Sequence, residues 1–230
     1  MKKCTPPPKE TVLAQQRLGT ERIQLLRTRG MCTVRLPAPL VRNNGSFSWL
    51  LDPLASDRLD DATWYCDGSL VLGKWTMFRT TGFGIAVVAS DGELLGFGYG
   101  TSPTRIYTAA AAELWALATI IDMSPFPPTT KTDCMSLITV AKAGTTSATN
   151  GSRQLARLWK AIATNLGTDI SDLVRNGRLT WIPAHLPYAA VGERMLPCGA
   201  RLTAADWRAN RLVDALAKLG ATAHRTSDDT

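Results

Sequence analysis

The sequence predicts an α/β fold, a mixed five-stranded sheet of three antiparallel strands followed by parallel ones, with helices on both faces. Three observations lead there. Residues 82–90 and 93–100 are two apolar runs joined by Asp91-Gly92, a strong hairpin signal. After residue 100, helix-forming and strand-forming stretches alternate, which implies helices packed on the faces of the sheet. The full order is β-β-β-α-β-α-α-β-α, with no internal repeat.

Each element has a local reason. Residues 10–28 space Val12, Leu13, Leu18, Ile23, Leu25 and Leu26 in a loosely helical way, between Pro6-Pro7-Pro8 and Gly30. Residues 31–60 hold Pro37, Pro39, Asn43-Asn44-Gly45 and Pro53 and read as linker. The expected organisation is a basic extension over 1–56, a domain over 57–222 and a polar tail over 223–230. Within the domain, 62–67 is the first strand and the 82–100 hairpin supplies the next two. Residues 108–122 are rich in Ala and Leu and read as a helix stopped by Pro125, Pro127 and Pro128. A fourth strand begins at 129, a short helix covers 134–142, and 143–152 reads as a Gly/Ser/Thr loop. Residues 153–165 form an amphipathic helix on Leu155, Leu158, Trp159 and Ile162. Residues 178–183 are the fifth strand and 184–202 an irregular loop. The last helix spans 203–219, with Thr203 as N-cap and Gly220 as stop.

Composition narrows the class. No apolar run in the 230 residues approaches the ~20 needed to span a bilayer, and MKKCTPPPKE lacks the apolar core of a secretory signal. Five cysteines without a C-x-x-C pair argue against a disulfide framework and a zinc ribbon. The expectation is a reducing intracellular compartment, nucleus or cytoplasm. Residues 1–50 carry nine Lys/Arg and two Asp/Glu, so the whole formal charge of +7 sits there. That asymmetry fits a nucleic-acid or membrane-surface contact, a solvated tail, or an Arg-rich mitochondrial transit segment.

Four carboxylates stand alone in apolar surroundings: Asp67 after the first strand, Glu113 mid-helix, Asp133 after the fourth strand and Asp214 in the last helix. An acid beside a core must be paired, hydrogen-bonded or bound to a metal. Each also has an ordinary reading. Asp-Gly-Ser is a common turn, Glu113 could face solvent, Asp133 could cap the next helix, and Asp214 could be a surface acid.

The motifs around these acids decide between the readings. In order, the chain has Asp67-Gly68-Ser69, Gly82-Phe83-Gly84, Ala112-Glu113-Leu114, Thr132-Asp133-Cys134, Trp181-Ile182-Pro183-Ala184-His185 and Asn210-Arg211-Leu212-Val213-Asp214-Ala215-Leu216-Ala217. Over about residues 60–220 it resembles the type 1 ribonuclease H domain, most closely that of non-LTR retroelements and reverse transcriptases. Departures are Cys134 for Ser, Ala184 for Gly, Ala109 for Asn after Thr108, and a lengthened stretch between His185 and Asn210. The basic insertion of some members is missing, with Arg153, Arg157 and Lys160 as a thinner substitute.

The resemblance implies an RNase H-like fold and endonucleolytic hydrolysis of the RNA strand of RNA–DNA hybrids. Two Mg2+ ions, or Mn2+, would sit on the four acids. Asp67 would bridge both ions, Asp133 would hold the one that activates water, and Glu113 and Asp214 would complete the other. Hard oxygen donors suit Mg2+, and clustered carboxylates repel one another without a cation. His185 would move a proton to the leaving group or assist product release. Gly68, Ser69 and Glu113 would read the 2′-OH, Asn210 would touch the same strand, and Thr108 lies near a phosphate-binding pocket of the family. A monomer is expected. Two alternatives stay open: a hybrid-binding module that does not cut, and the RNase H piece of a reverse transcriptase polyprotein.

Three further expectations follow. Trp64, Trp115, Trp159, Trp181 and Trp207 serve packing rather than base stacking. Cys66 and Cys134 are small hydrophobes beside the acids. Asp206 is an acid favoured by the start of its helix.

Overall fold

A computed structural model of the chain describes residues 44–53, 58–71, 79–124 and 126–223, together with Gln24. The helix expected over 10–28 (Gln24 apart), much of the linker and the tail after 223 lie outside them. All described residues except Gln24 belong to one compact unit, Arg42–Thr230.

Its centre is a six-stranded sheet. The strands are β1 (Ser46–Leu51), β2 (Thr63–Val71), β3 (Thr80–Val88), β4 (Leu94–Thr101), β5 (Thr129–Thr132) and β6 (Leu179–Trp181), in spatial order β1-β4-β3-β2-β5-β6. Strands β1 to β4 pair antiparallel, β5 pairs parallel with β2, and β6 pairs parallel with β5. The helices are α1 (Ala109–Met123), α2 (Met135–Lys142), α3 (Gly144–Ala148), α4 (Ala156–Leu166), α5 (Ser171–Arg175) and α6 (Ala204–Thr222).

The two-residue period of the strands sorts the core into two layers. Trp64, Cys66, Ile85 and Val87 pack with Ala116 and Ile120 of α1. Tyr65, Ala86 and Val88 pack with Ala209 and Val213 of α6. Burying a side chain such as Ile85 or Val87 stabilises by roughly 1.5–3 kcal/mol. A third cluster joins α1 to α2 and α4 through Leu114, Leu117, Leu137, Trp159 and Ile162. All five tryptophans named above, Trp64, Trp115, Trp159, Trp181 and Trp207, lie in or against these clusters.

The sheet has one strand more than expected. Strand β1 lies in the segment read as linker, because Asn43-Asn44-Gly45 and Pro53 bracket it with turn residues. Its alternation nevertheless seats Phe47 on Phe83, ring centroids 5.6 Å apart, and Trp49 edge-on to Trp64 at 6.1 Å. Strand β2 also runs through Asp67-Gly68-Ser69 rather than turning there, each residue being paired with β3.

Three helical and loop assignments change. The expected loop at 143–152 contains α3, anchored because Ile170 N–H donates to Thr145 Oγ1 at 2.9 Å and Ala148 is buried. Helix α6 does not stop at Gly220 but continues to Thr222. Gly220 is there for closeness: a Cβ on it would lie 2.3 Å from the Gly100 carbonyl oxygen of β4. The stretch 184–202 is partly ordered, with a 3-10 turn at Tyr188–Ala190 and a bridge between Met195 and Arg201. Thr203 caps α6 as expected, in a capping box with Asp206.

Candidate metal and catalytic site

Three of the four predicted acids meet where β2, α1 and β5 converge. Asp67, Glu113 and Asp133 each offer a carboxylate oxygen within 4.8 Å of the others. Asp67 and Glu113 are buried, 7% and 5% exposed, and Asp133 is half-buried.

Local structure explains how they come together. Gly68 lets α1 cross β2: a Cβ there would lie 2.3 Å from the backbone nitrogen of Glu113. The Asp-Gly step is thus a crossing point, and it sets Glu113 beside Asp67. Thr108 caps α1 by accepting from Ala111 N–H at 3.1 Å, which fixes the start of that helix. The parallel register of β2 and β5 pairs Cys66 with Thr132, one residue before each acid. Asp133 does not cap α2. Cys134 holds the N-cap position without a side-chain bond, so the Asp133 carboxylate is not used for capping.

The electrostatics are those of crowded acids. Burial pushes the Asp67 carboxyl up, and the charges of Asp133 and Asp214 add to it. Hydrogen bonds from a protonated Glu113 and from Gly68 N–H (2.7 Å) oppose them, leaving it at about 6. Burial, then the charge of Asp67, raises Glu113 well above the usual carboxylate range. Both carboxyls of the pair are thus shifted toward the protonated form. No cationic side chain pairs with any of the three acids among the described residues. The same field, after burial, raises the Cys66 thiol and keeps it uncharged.

Asp214 lies apart from the trio. Its charge acts on Asp67, yet its carboxylate accepts a 2.8 Å ion pair from Lys218 one helical turn on. Asn210 is buried on the same helix. Its Nδ2 reaches Asp133 Oδ2 at 3.4 Å, and its Oδ1 has no partner. His185 is exposed and takes a left-handed backbone conformation, φ 52°, unusual for a residue other than glycine. It lines a narrow cleft with Asn210, Trp207 and Arg211, outside the carboxylate trio. Thr108 lines a second cleft of about 270 Å³ with Arg105, Gln154 and Arg157. Ser69 is half-buried and paired with Gly82.

Some contributors were not expected. Thr132 donates to Glu113 Oε2 at 2.8 Å, and Trp181 Nε1 donates to the Asp133 carbonyl at 2.9 Å. Asp206 is more than a helix-start acid. It is 2% exposed and accepts from Tyr65 OH at 2.7 Å and from Lys131 Nζ at 2.5 Å. Burial raises its carboxyl, but these bonds outweigh burial and hold it below the ordinary range. Through Asp206, the first turn of α6 is tied to β2 and β5, two turns before Asp214.

The donor set suits a hard divalent cation. It consists of carboxylate oxygens on three acids, two of which are raised by burial and by one another's charge, with an unpartnered amide oxygen on the helix beside Asp133.

No protein-family model matches the chain, nor does any curated protein sequence. Several solved structures are similar. The PFV RNase H domain is 18% identical, over 70% of this chain and 94% of that one, with a TM-score of 0.43. The protease-reverse transcriptase of prototype foamy virus is 17% identical with a TM-score of 0.47; the match covers 76% of this chain but spans only 22% of the viral protein. RNase H1 of the halophilic archaeon Halobacterium salinarum is 17% identical, over 69% and 96% of the two chains, with a TM-score of 0.38.

Proposed function

We propose that this RNase H-like domain is a metal-dependent endonuclease that hydrolyses the RNA strand of RNA–DNA hybrids. The observation that carries the reading is the trio of Asp67, Glu113 and Asp133, two of them buried, with oxygens within 4.8 Å of one another and no cationic side chain paired with them among the described residues. Such a cluster raises the free energy of the cation-free fold, and a function on the acids accounts for its presence.

Two divalent cations, Mg2+ or Mn2+, would supply an activated water and charge stabilisation for the leaving alkoxide. Asp67, Glu113 and Asp133 would hold them, joined by Asp214 when its carboxylate leaves Lys218. Thr132 fixes the rotamer of Glu113 through its hydroxyl. Asn210 presents an unpartnered carbonyl oxygen for a substrate hydroxyl. Gly68 N–H is occupied by Asp67, so the carbonyl of Gly68, together with Ser69 and Glu113, is left to read the 2′-OH that separates RNA from DNA. His185, exposed at the rim, would exchange a proton with the leaving oxygen and with solvent. The cleft holding Thr108, Arg105 and Arg157 offers two guanidinium groups to a backbone phosphate.

The Asp214–Lys218 pair favours one second reading, a domain that holds hybrid without cutting it. A single experiment separates the two. A labelled RNA–DNA hybrid is incubated with the chain in Mg2+ and in Mn2+, beside duplex RNA, duplex DNA and the Asp133→Asn variant. Hybrid-only cleavage that the substitution abolishes supports the nuclease. Binding without cleavage in either metal supports the second reading.

A further inference from the structure

The stretch between His185 and α6 is held in place. Leu196 and Leu202 are buried against Ala209 and Val213 of α6. Its backbone closes on itself: Leu196 N–H donates to Ala200 O at 2.8 Å, Leu202 N–H to Arg194 O at 2.8 Å, and Gly192 N–H to Leu202 O at 2.9 Å. The Arg201 guanidinium donates to Gly192 O at 2.6 Å. These bonds fix what the segment shows to solvent.

What it shows is basic. Arg194, Arg201, Arg208 and Arg211 are all exposed, and none has an ion-pair partner among the described residues. Residues 186–211 contain two acids, Glu193 and Asp206, and Asp206 is buried against Lys131. Aromatic rings stiffen the patch. Tyr188, 55% exposed, meets Trp207 edge-on at 5.2 Å, and the Arg211 guanidinium lies over the Trp207 ring at 5.2 Å. Trp207 Nε1 donates to Leu186 O at 2.8 Å, tying the loop to the helix. Arg211 also lines the narrow cleft with His185 and Asn210, and Asn210 reaches Asp133. Arg211 therefore stands one residue from the acids, through Asn210.

We propose that residues 186–202 and the first two turns of α6 form a ridge that grips the phosphate backbone of a nucleic acid presented to the acid site, with Arg211 nearest the acids. The nuclease reading supplies only the position of that nucleic acid. Four exposed guanidinium groups without an ion-pair partner among the described residues stand on a pinned surface, and Arg presents a fork suited to phosphate oxygens. Tyr188 and Trp207 add aromatic faces of the kind that strand-binding surfaces use.

The test measures binding of a labelled RNA–DNA hybrid by the full chain in an Asp133→Asn background over a series of salt concentrations. The variants are R194Q/R201Q and R208Q/R211Q, with R208K/R211K as the charge-conserving rescue. Each Gln pair should flatten the plot of log affinity against log salt by roughly 0.7–0.9 for every phosphate it no longer neutralises. The variants should stay cooperatively folded, with at most a small fall in melting temperature from the lost Arg201–Gly192 and Arg211–Trp207 contacts, and the Lys pair should restore most of the slope. Unchanged slopes in both Gln pairs would overturn the proposal. So would loss of binding to polyglutamate with hybrid binding intact, which would mark the ridge as a site for an acidic protein. Cleavage by the chain with Asp133 present is scored separately. A ridge-dependent slope without cleavage keeps the ridge and removes the nuclease; cleavage with unchanged slopes does the reverse.

Discussion

The Thr132 hydroxyl donates a 2.8 Å hydrogen bond to Oε2 of Glu113, linking β5 to α1 beneath the acid cluster. Thr132 is fully buried, so no water can replace it. Thr132→Val should destabilise the chain by about 1–3 kcal/mol in urea unfolding. It should also weaken the stabilisation by added Mg2+, because the hydroxyl that holds the Glu113 rotamer is gone. A Mg2+ titration followed by melting temperature reads the second effect.

Stability without metal should fall as pH rises. Asp67 is raised to about 6 and Glu113 well above its ordinary range, while both ionise near pH 4 in the unfolded chain. Between those values the folded state binds more protons than the unfolded one, so stability is lost across the interval. Asp206 works the other way, but its carboxyl is lowered, so its contribution disappears only in stronger acid. Melting curves in a chelator should therefore decline from about pH 4.5 to 7, and Asp67→Asn should flatten the decline. Added Mg2+ should restore more stability at neutral pH than in acid, where protons compete for the same oxygens.

Asp206, buried, and Lys131, half-buried, form a pair whose separation should cost more than its removal. Asp206→Ala should destabilise by roughly 3–5 kcal/mol, since the Lys131 charge stays behind with Tyr65 OH unpaired. The double variant Lys131→Met, Asp206→Leu should recover much of that loss. Chemical denaturation of the two single variants and the double variant closes the cycle.

Lys218 lies on the surface, with its side chain 59% exposed. Lys218→Gln should change stability by no more than about 0.5 kcal/mol, the scale of an exposed helical pair. It should, however, lower the Mg2+ concentration needed for half-maximal cleavage, because Asp214 no longer has to give up an ammonium group. Cleavage rate against Mg2+ concentration tests this.

Local signals made much of the architecture legible. Asp91-Gly92 marked the hairpin, the Ala-rich run marked α1, and lone acids in apolar elements marked Asp67, Glu113 and Asp133. What stayed hidden depends on long-range packing. Strand β1 lies between turn residues, and only its stacking on Phe83 and Trp64 shows it to be a strand. Asp67-Gly68 has the composition of a turn, and the need for Gly68 appears only when α1 crosses it. Asp206 looks like an ordinary helix-start acid, because its partner Lys131 lies 75 residues earlier. The pairing of Asp214 with Lys218 was visible as an i, i+4 spacing, but spacing alone cannot choose between a lysine and a cation.

Tyr65 and Asp206 are bonded across 141 residues, and that separation sets a timetable for the newborn chain. Every strand leaves the ribosome before α6, so the half-made protein exposes the sheet face carrying Tyr65, Ala86 and Val88. Closing so long a loop is slow, and Asn210 and Asp214 arrive with it. Until α6 docks, a partly synthesised chain keeps that apolar face open and is prone to aggregate. Message-level or proteolytic events that remove α6 should yield an insoluble polypeptide.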